Sequence, residues 1–355
     1  MSLEELRRRV DELDDNIVEL LAERLSIAEA IGREKAAGEV PPQDLGRERL
    51  VIEHVTGAAA ARGMTADEVT ELYRSIIKLA RQRQARSVAF QGEAGAYSEQ
   101  AAFQYFGSRA AVKACESLEG VFKEVESGTV QFGIIPMENS IEGSISRSYD
   151  LMLESSLMVS GELHLRVNHC LIGNPDATLD SIRRVYSHPQ ALGQCGHFLR
   201  QMGFELIPTY DTAGSVKLIK EKCIMDGAAI ASERAAVIYG MKILARDIQD
   251  NPNNFTRFFA IGRKDAPPSG DDKTSLVFAV KHRPGALYEF LRILAEHKIN
   301  LTKIESRPTR KKAWEYNFYL DFEGHRQDEN FRAALPALEE HVLFIKILGS
   351  YPKAK

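Results

Sequence analysis

The chain is short of cysteine, of surplus basic charge and of long apolar runs. Its four cysteines, Cys115, Cys170, Cys195 and Cys223, form no CxxC pair and show no metal-ligand spacing. They read as reduced thiols in a cytosolic protein, so neither a disulfide framework nor a metal centre is expected. A formal net charge of −4 gives no reason to expect a nucleic-acid partner. No apolar run approaches the ~20 residues that cross a bilayer. The N-terminal stretch MSLEELRRRVDELDDN is charged throughout and lacks the apolar core of a signal peptide. A cytoplasmic location without membrane contact is expected. What remains is ordinary globular composition, 44% apolar and 27% charged, over 355 residues. That length accommodates two or three domains.

The stretch 133–146, GIIPMENSIEGSIS, organises the middle of the chain. Phe132, Ile134 and Ile135 read as a buried strand. Pro136 has no N–H for a sheet ladder, so the strand is expected to stop there. Glu138, Asn139 and Ser140 then stand at the strand's carboxyl end, where α/β sheets bind ligands. A carboxylate, an amide and hydroxyls suit a small polar substrate. The same residues also suit an ordinary turn with a helix N-cap.

The first 86 residues read as helices. Leu3, Leu6, Val10, Leu13, Ile17, Leu20, Ile27 and Ile31 follow three-four spacing over 3–36. Such a helix, about 50 Å long, needs other helices or a partner chain to cover it. Gly38, Pro41 and Pro42 end it, and a second helix spans 45–61. Thr65 and Glu68 form a capping box that opens a third helix. Its stripe is Val69, Leu72, Tyr73, Ile76, Ile77, Ala80 and Gln84.

Polar residues interrupt these stripes. Arg24 falls where an apolar residue is due after Leu20, and a buried arginine needs an anion. Lys35 lies one turn beyond Ile31, and Arg7 sits at the stripe's edge; both also suit solvated or snorkelling positions. Asp44, Arg47 and Glu48 open the second helix. Acidic residues outnumber basic ones over 1–86, so an anion site must come from placement.

LRRRVDELDDNIVELLAERLSIAEAIGREK, QDLGRERL and the helix ending at Gln84 together resemble the all-helical chorismate mutase family. The resemblance implies an intertwined dimer whose partner's first helix completes each site. It implies that Arg7, Arg24, Lys35, Asp44, Arg47, Glu48 and Gln84 contact chorismate. Ala80 stands where some members carry serine, which removes one minor hydrogen bond. The chemistry is compatible: a dicarboxylate rearranging by a unimolecular step needs cationic clamps and donors to the ether oxygen, with no cofactor. Arg7 and Arg24 suit the carboxylates, Lys35 and Gln84 the oxygen, and Glu48 the ring hydroxyl.

From Ser87 onward strands and helices alternate. GEAGAYS makes a glycine loop before a helix, a weak anion-cradle signal. VYSHPQALGQC puts Ser187, His188, Gln190 and Gln194 at a strand-to-helix junction. A Ser187–His188 catalytic pair is disfavoured, because neighbours on an extended chain point opposite ways. NPNNFTRFFAIG sets Thr256 and Arg257 before the strand 258–262. FQGEAGAYSEQAA, GIIPMENSIEGS, SHPQALGQC and NFTRFF, in this order, resemble prephenate dehydratase. The implied fold is two α/β lobes like a periplasmic binding protein, with the site in the cleft. By that resemblance Glu138, Asn139, Ser187, Gln194, Thr256 and Arg257 line the site. Thr256 would donate or relay a proton with Glu138 as its hydrogen-bonded partner, and Arg257 would clamp a carboxylate.

DAPPSGDDK, residues 265–273, has linker composition. The tail then reads βαββαβ, a ferredoxin-like pattern. HRPGALYEFLRILAEHKINLTKIESRP resembles an ACT domain of the phenylalanine-sensing type. Gly285, Ala286, Leu287, Glu305, Ser306 and Arg307 are the implied effector residues.

Three domains are expected: a helical mutase domain at 1–86, a two-lobed α/β dehydratase domain at 87–264 and an α+β ACT domain at 273–355. Together they imply a bifunctional enzyme of phenylalanine biosynthesis, at least a homodimer, acting on chorismate and prephenate and inhibited by L-phenylalanine. A dehydratase preferring arogenate, or a non-catalytic two-lobed amino-acid sensor, stays open at this point.

Overall fold

The computed structural model describes residues 2–37, 45–83, 86–309 and 315–354. Three helices come first: α1 (Leu3–Ala37), α2 (Leu45–Ala60) and α3 (Ala66–Arg83). The capping box forms, with Glu68 accepting from the Thr65 N–H at 2.9 Å. Val69, Ile76, Ile77 and Ala80 of α3 are buried, but Leu72 of the same expected stripe is exposed. The α1 stripe stays uncovered in the single chain: Leu3, Leu6, Val10, Leu13, Ile17 and Leu20 are 45–65% exposed.

The next body has two lobes. Lobe 1 contains β1 (Ser87–Gln91), α4 (Tyr97–Phe106), β2 (Ala111–Cys115), α5 (Leu118–Glu126), β3 (Phe132–Asn139), β4 (Gly143–Ser144), α6 (Ser146–Glu154) and β5 (Met158–Arg166). Lobe 2 follows with β6 (Cys170–Gly173), β7 (Arg184–Ser187), α7 (Pro189–Gln194), α8 (Gly196–Met202), β8 (Glu205–Pro208), α9 (Thr212–Glu221), β9 (Gly227–Ala231), α10 (Glu233–Tyr239) and β10 (Lys242–Ala245). The chain then returns as β11 (Phe255–Gly262), antiparallel between β3 and β5. Sheet orders are β2-β1-β3-β11-β5, with β4 on β3, and β10-β6-β9-β7-β8. Only two crossings, 167–169 and 246–254, join the lobes.

The C-terminal body holds β12 (Asp272–Val280), α11 (Ala286–Glu296), β13 (Leu301–Pro308), β14 (Tyr316–Glu323), α12 (Glu329–His341) and β15 (Val342–Pro352). Its sheet order, β13-β14-β12-β15, completes the expected βαββαβ unit. Phe278, Phe290, Phe322 and Phe331 fill the core under α11 and α12. The other sheet face lies on lobe 1: Val277, Tyr319, Leu348 and Tyr351 share a core with Ile135, Met137, Phe259 and Ile261. The stretch of linker composition is packed rather than loose. Ala266 is buried, Asp265 pairs with Arg326 at 3.0 Å, and β12 already begins at Asp272.

Lobe 1's sheet is therefore buried on both faces. Along β11, Phe258 and Ala260 face lobe 2, while Phe259 and Ile261 face the C-terminal sheet. This is the period-two alternation of a strand.

The strand expected to end at Pro136 instead continues to Asn139. A bulge makes this possible. Arg257 pairs with Glu138, but Phe258 pairs with Pro136, so Met137 is an extra residue. A bulge leaves one residue out of the ladder, which tolerates a proline.

Gly349 marks how closely the C-terminal sheet meets lobe 1. A Cβ there would lie 2.2 Å from the Val159 carbonyl oxygen and 2.7 Å from its nitrogen. Backbone on β5 cannot yield as a side chain can. Gly349→Ala is expected to destabilise the docked sheets by about 1–3 kcal/mol, read as a lower urea midpoint in circular dichroism. An unchanged midpoint would show that this contact is loose.

Candidate active site

The candidate site is built where β3 ends and β11 begins, beside the two lobe crossings. Asn139 and Thr256 are direct cross-strand partners and share the face toward lobe 2. Asn139 Nδ2 donates to Thr256 Oγ1 at 3.1 Å and to Asn254 Oδ1 at 2.7 Å. Asn139 Oδ1 accepts the backbone N–H groups of Ile141 and Glu142 at 3.0 and 3.1 Å. Since Thr256 Oγ1 accepts from an amide, its own proton is available for donation.

The network continues into lobe 2. Asn254 Nδ2 donates to Gln194 Oε1 at 2.9 Å, and His169 Nε2 lies 2.9 Å from the same oxygen. His169 Nδ1 is 2.9 Å from the Tyr97 hydroxyl, which donates to the Asn168 carbonyl at 2.6 Å. Burial holds the His169 pKa below its ordinary value, partly opposed by Gln194, and raises that of Tyr97 well above normal. Ser187 is fully buried at the end of β7 and donates to the Ile230 carbonyl at 2.7 Å. His188 caps α7, its Nδ1 accepting from the Gln190 N–H. No Ser187–His188 pair forms.

Two expected site residues face away. Glu138 and Arg257 are cross-strand partners on the opposite face of the sheet from Asn139 and Thr256. Glu138 receives Lys303 of β13 at 2.6 Å. Its carboxylate thus serves the contact with the C-terminal sheet, and the hydroxyl of Thr256 is partnered by Asn139 instead. Burial alone would lower the Lys303 pKa, yet Tyr149 and Glu138 push it up to about 12. Arg257 pairs with Glu162 and Asp321, both at 2.6 Å, and donates to the Tyr351 hydroxyl at 3.1 Å. Burial works against its charge, but Tyr351, Asp321 and Glu162 more than reverse that effect. A guanidinium so engaged clamps the domains together rather than a carboxylate in the cleft.

The glycine loop before α4 has a structural use. Gly95 N–H donates to Glu99 at 2.9 Å, so the helix's own residue occupies the anion position. Lys217 and Tyr210 of lobe 2 reach Glu93 at 3.1 and 3.2 Å.

In the helical domain Arg24 is half-buried, with its guanidinium carbon 5.9 Å from the centre of the Tyr73 ring. Arg7 and Arg47 are exposed, Glu48 is half-buried and Ala80 is buried. Asp44, Gln84 and the side chain of Lys35 lie outside the described residues. In the C-terminal domain Gly285, at φ 82°, precedes α11. Gly285, Ala286, Leu287 and Arg307 line a cavity of about 1130 Å³ between the C-terminal sheet and α6. Glu305 is turned toward lobe 1, hydrogen-bonded to Ser144 and 3.3 Å from Lys303, and Ser306 is exposed.

Sequence reasoning missed Asn254 and His169. Asn254 stands two residues before Thr256, the spacing that puts side chains on one side of an extended chain. His169 sits among apolar residues, where nothing in the sequence points to a partner.

Fold and site define a multidomain enzyme with a helical unit, a two-lobed α/β unit and an ACT unit. Residues 6–85 match the family Chorismate mutase type II, 88–266 match Prephenate dehydratase, and 274–340 match the ACT domain. A bifunctional chorismate mutase/prephenate dehydratase of Aquifex aeolicus is 39% identical over 358 residues, covering 99% of this chain and 98% of that protein. The chloroplastic arogenate dehydratase/prephenate dehydratase 2 of Arabidopsis thaliana is 45% identical over 276 residues, 75% of this chain and 72% of that one. The structure of prephenate dehydratase from Arthrobacter aurescens in complex with L-Phe superposes with a TM-score of 0.70 at 30% identity, over 75% of this chain and 90% of that one. The chain belongs to the bifunctional chorismate mutase/prephenate dehydratase family.

The role found for Arg257 is open to measurement. Arg257→Met leaves Asp321 and Glu162 buried beside one cation fewer, which costs about 3–5 kcal/mol. Glu162 has a depressed pKa because Arg257 and Lys273 outweigh the effect of burial. A depressed carboxyl stabilises the fold above its ordinary 4.5 and loses that contribution as pH falls through its folded value. The gap between wild type and variant in urea unfolding is therefore expected to be full at pH 7 and to shrink below pH 4.5. A gap independent of pH would remove the ion pair from the explanation.

Proposed function

We propose that the chain converts chorismate to prephenate in its helical domain and prephenate to phenylpyruvate in the lobe cleft. The observation that carries the second step is the Asn139–Thr256 pair, which leaves the threonine proton free at the cleft. Prephenate loses carbon dioxide and its ring hydroxyl together. The electron pair of the breaking C–C bond enters the ring as the C–O bond breaks, and the departing hydroxyl takes up one proton to leave as water. Thr256 delivers that proton and regains one from solvent, so the net proton consumed is water's. Asn139, Ser187 and Gln194 supply the surrounding polar wall.

For the first step, Arg7, Arg24, Lys35, Arg47 and Gln84 bind the dicarboxylate and the ether oxygen, with Asp44 and Glu48 at the ring side. The uncovered α1 stripe supports a homodimer in which the partner's first helix completes each site. The test is to supply chorismate and follow phenylpyruvate absorbance. Thr256→Ala is expected to abolish prephenate turnover and leave chorismate consumption near normal; Arg24→Ala is expected to do the reverse. If Thr256→Ala also halted chorismate consumption, two independent sites could not be maintained. The relationship to the Arabidopsis protein favours arogenate as an alternative dehydratase substrate, which a side-by-side assay decides.

L-Phenylalanine is proposed as the feedback inhibitor, supported by the ACT match and the cavity beside Gly285. Gly285, Ala286, Leu287 and Arg307 would form the wall, with Glu305 and Ser306 completing it after rearrangement or across a dimer. The effector must bind one arrangement better than the other, a coupling of about 1–3 kcal/mol. Phenylalanine is expected to lower dehydratase turnover, and Gly285→Ala, strained at φ 82° with open space around the added carbon, to weaken its binding. Calorimetric titration giving equal affinity in both proteins would place the effector elsewhere.

A further inference from the structure

We propose that Asn254 and His169 are positioning residues for the dehydratase reaction, setting which way the amides of Asn139 and Gln194 face and so making Thr256 and Gln194 proton donors to the substrate. The inference rests on the dehydratase reading of the cleft. Its logic starts from two groups that cannot flip, the backbone N–H groups of Ile141 and Glu142. Both donate to one atom of the Asn139 side chain, which must therefore be the oxygen. The nitrogen then faces Thr256 Oγ1 and Asn254. Asn254 must accept there, so its oxygen faces Asn139 and its nitrogen faces Gln194. Gln194 in turn must accept from Asn254, which turns its oxygen inward.

That oxygen also lies 2.9 Å from His169 Nε2, and an amide oxygen only accepts. His169 must therefore carry its proton on Nε2, and its Nδ1 shares the single Tyr97 hydroxyl proton with the Asn168 carbonyl. Five side chains thus have assigned directions from one backbone anchor. Two consequences reach the cleft. Thr256 Oγ1 is held as an acceptor by Asn139, so its proton points elsewhere. Gln194 Nε2 is turned away from the network and has no hydrogen-bond partner among the described residues. Both suit a substrate bearing a departing hydroxyl and carboxylate oxygens. Asn254 is fully buried and His169 is 2% exposed, so water cannot substitute for either.

The ionisable groups near the network are His169, Tyr97, Cys170, Cys195, Asp250 and Arg166, while Glu138 of β3 and Arg257 of β11 serve the opposite face of the sheet. Asp250 accepts from the His197 N–H, and Arg166 donates to the Pro252 carbonyl. Neither side chain has a hydrogen bond to the amide network among the described residues.

The experiment uses the full chain with prephenate. Asn254→Asp retains the acceptor for Asn139, but as a carboxylate it repels the Gln194 oxygen. Protonated, it donates to that oxygen again. Its kcat is expected to fall about 10- to 100-fold at pH 8 and to recover as pH falls, a profile absent from wild type. His169→Gln, which retains a donor at the Nε2 position, is expected to keep most of kcat, whereas His169→Leu loses it. Nitrogen-15 NMR of ring-labelled histidine is expected to show the Nε2–H tautomer at His169. An Nδ1–H tautomer, or Asn254→Asp with wild-type kcat and pH profile, overturns the proposal. If Asn254→Asp fails to fold, the His169 pair and the tautomer decide it. A wild-type chain inert toward prephenate would instead refute the dehydratase reading, leaving the tautomer test standing.

Discussion

One extra residue in a sheet ladder, Met137 in β3, decides which side chains meet in the cleft. Without it, regular alternation from Phe132 and Ile134 would carry Glu138 to the cleft and Asn139 to the opposite face. The bulge between Pro136 and Glu138 reverses that order, as a one-residue slip must. Asn139 then meets Thr256, and Glu138 meets Lys303. Bulges recur next to active sites because they re-aim a side chain without ending the strand. Pro136 suits the position, since it lacks the N–H that a regular ladder would use.

The same sheet joins chemistry to the C-terminal domain. Its two faces carry separate cores, one shared with lobe 2 and one with the ACT sheet. Thr256 and Arg257 are neighbours in sequence and lie on opposite faces. Asp321 and Tyr351 of the ACT sheet hold Arg257, whose neighbour in the chain is Thr256. Lys303, Glu305 and Arg307, alternate residues on β13, all turn toward lobe 1. C-terminal-domain side chains therefore contact β3, β4 and α6 of lobe 1. The Arg257 pairs are buried, so their attraction is little screened, and an unpaired partner would be costly.

The helical domain is organised differently. Its longest helix keeps its apolar stripe in the open, while α3 buries part of its own against α1 and α2. A 35-residue helix cannot be covered by two shorter ones on every side.

Much was legible from sequence. Helical spacing, the Thr65–Glu68 box, the βαββαβ order and four ordered motifs located three domains, because each depends on neighbours within a few residues or on residue types in series. The membership of the cleft was only partly legible. Asn139, Gln194 and Thr256 meet through one network, and Ser187 lies at the end of β7, a strand of lobe 2. Glu138 and Arg257 carry the right chemistry at the right place in the chain, but the sheet presents them to the other face. The network partners Asn254 and His169 lie 85 residues apart across two lobe crossings, and no local pattern links them. Sequence by itself determined the elements, their order and the chemical inventory, since propensity and periodicity are local. Tertiary structure decided which face each side chain serves, because a strand's facing depends on register with a partner strand far away in the chain.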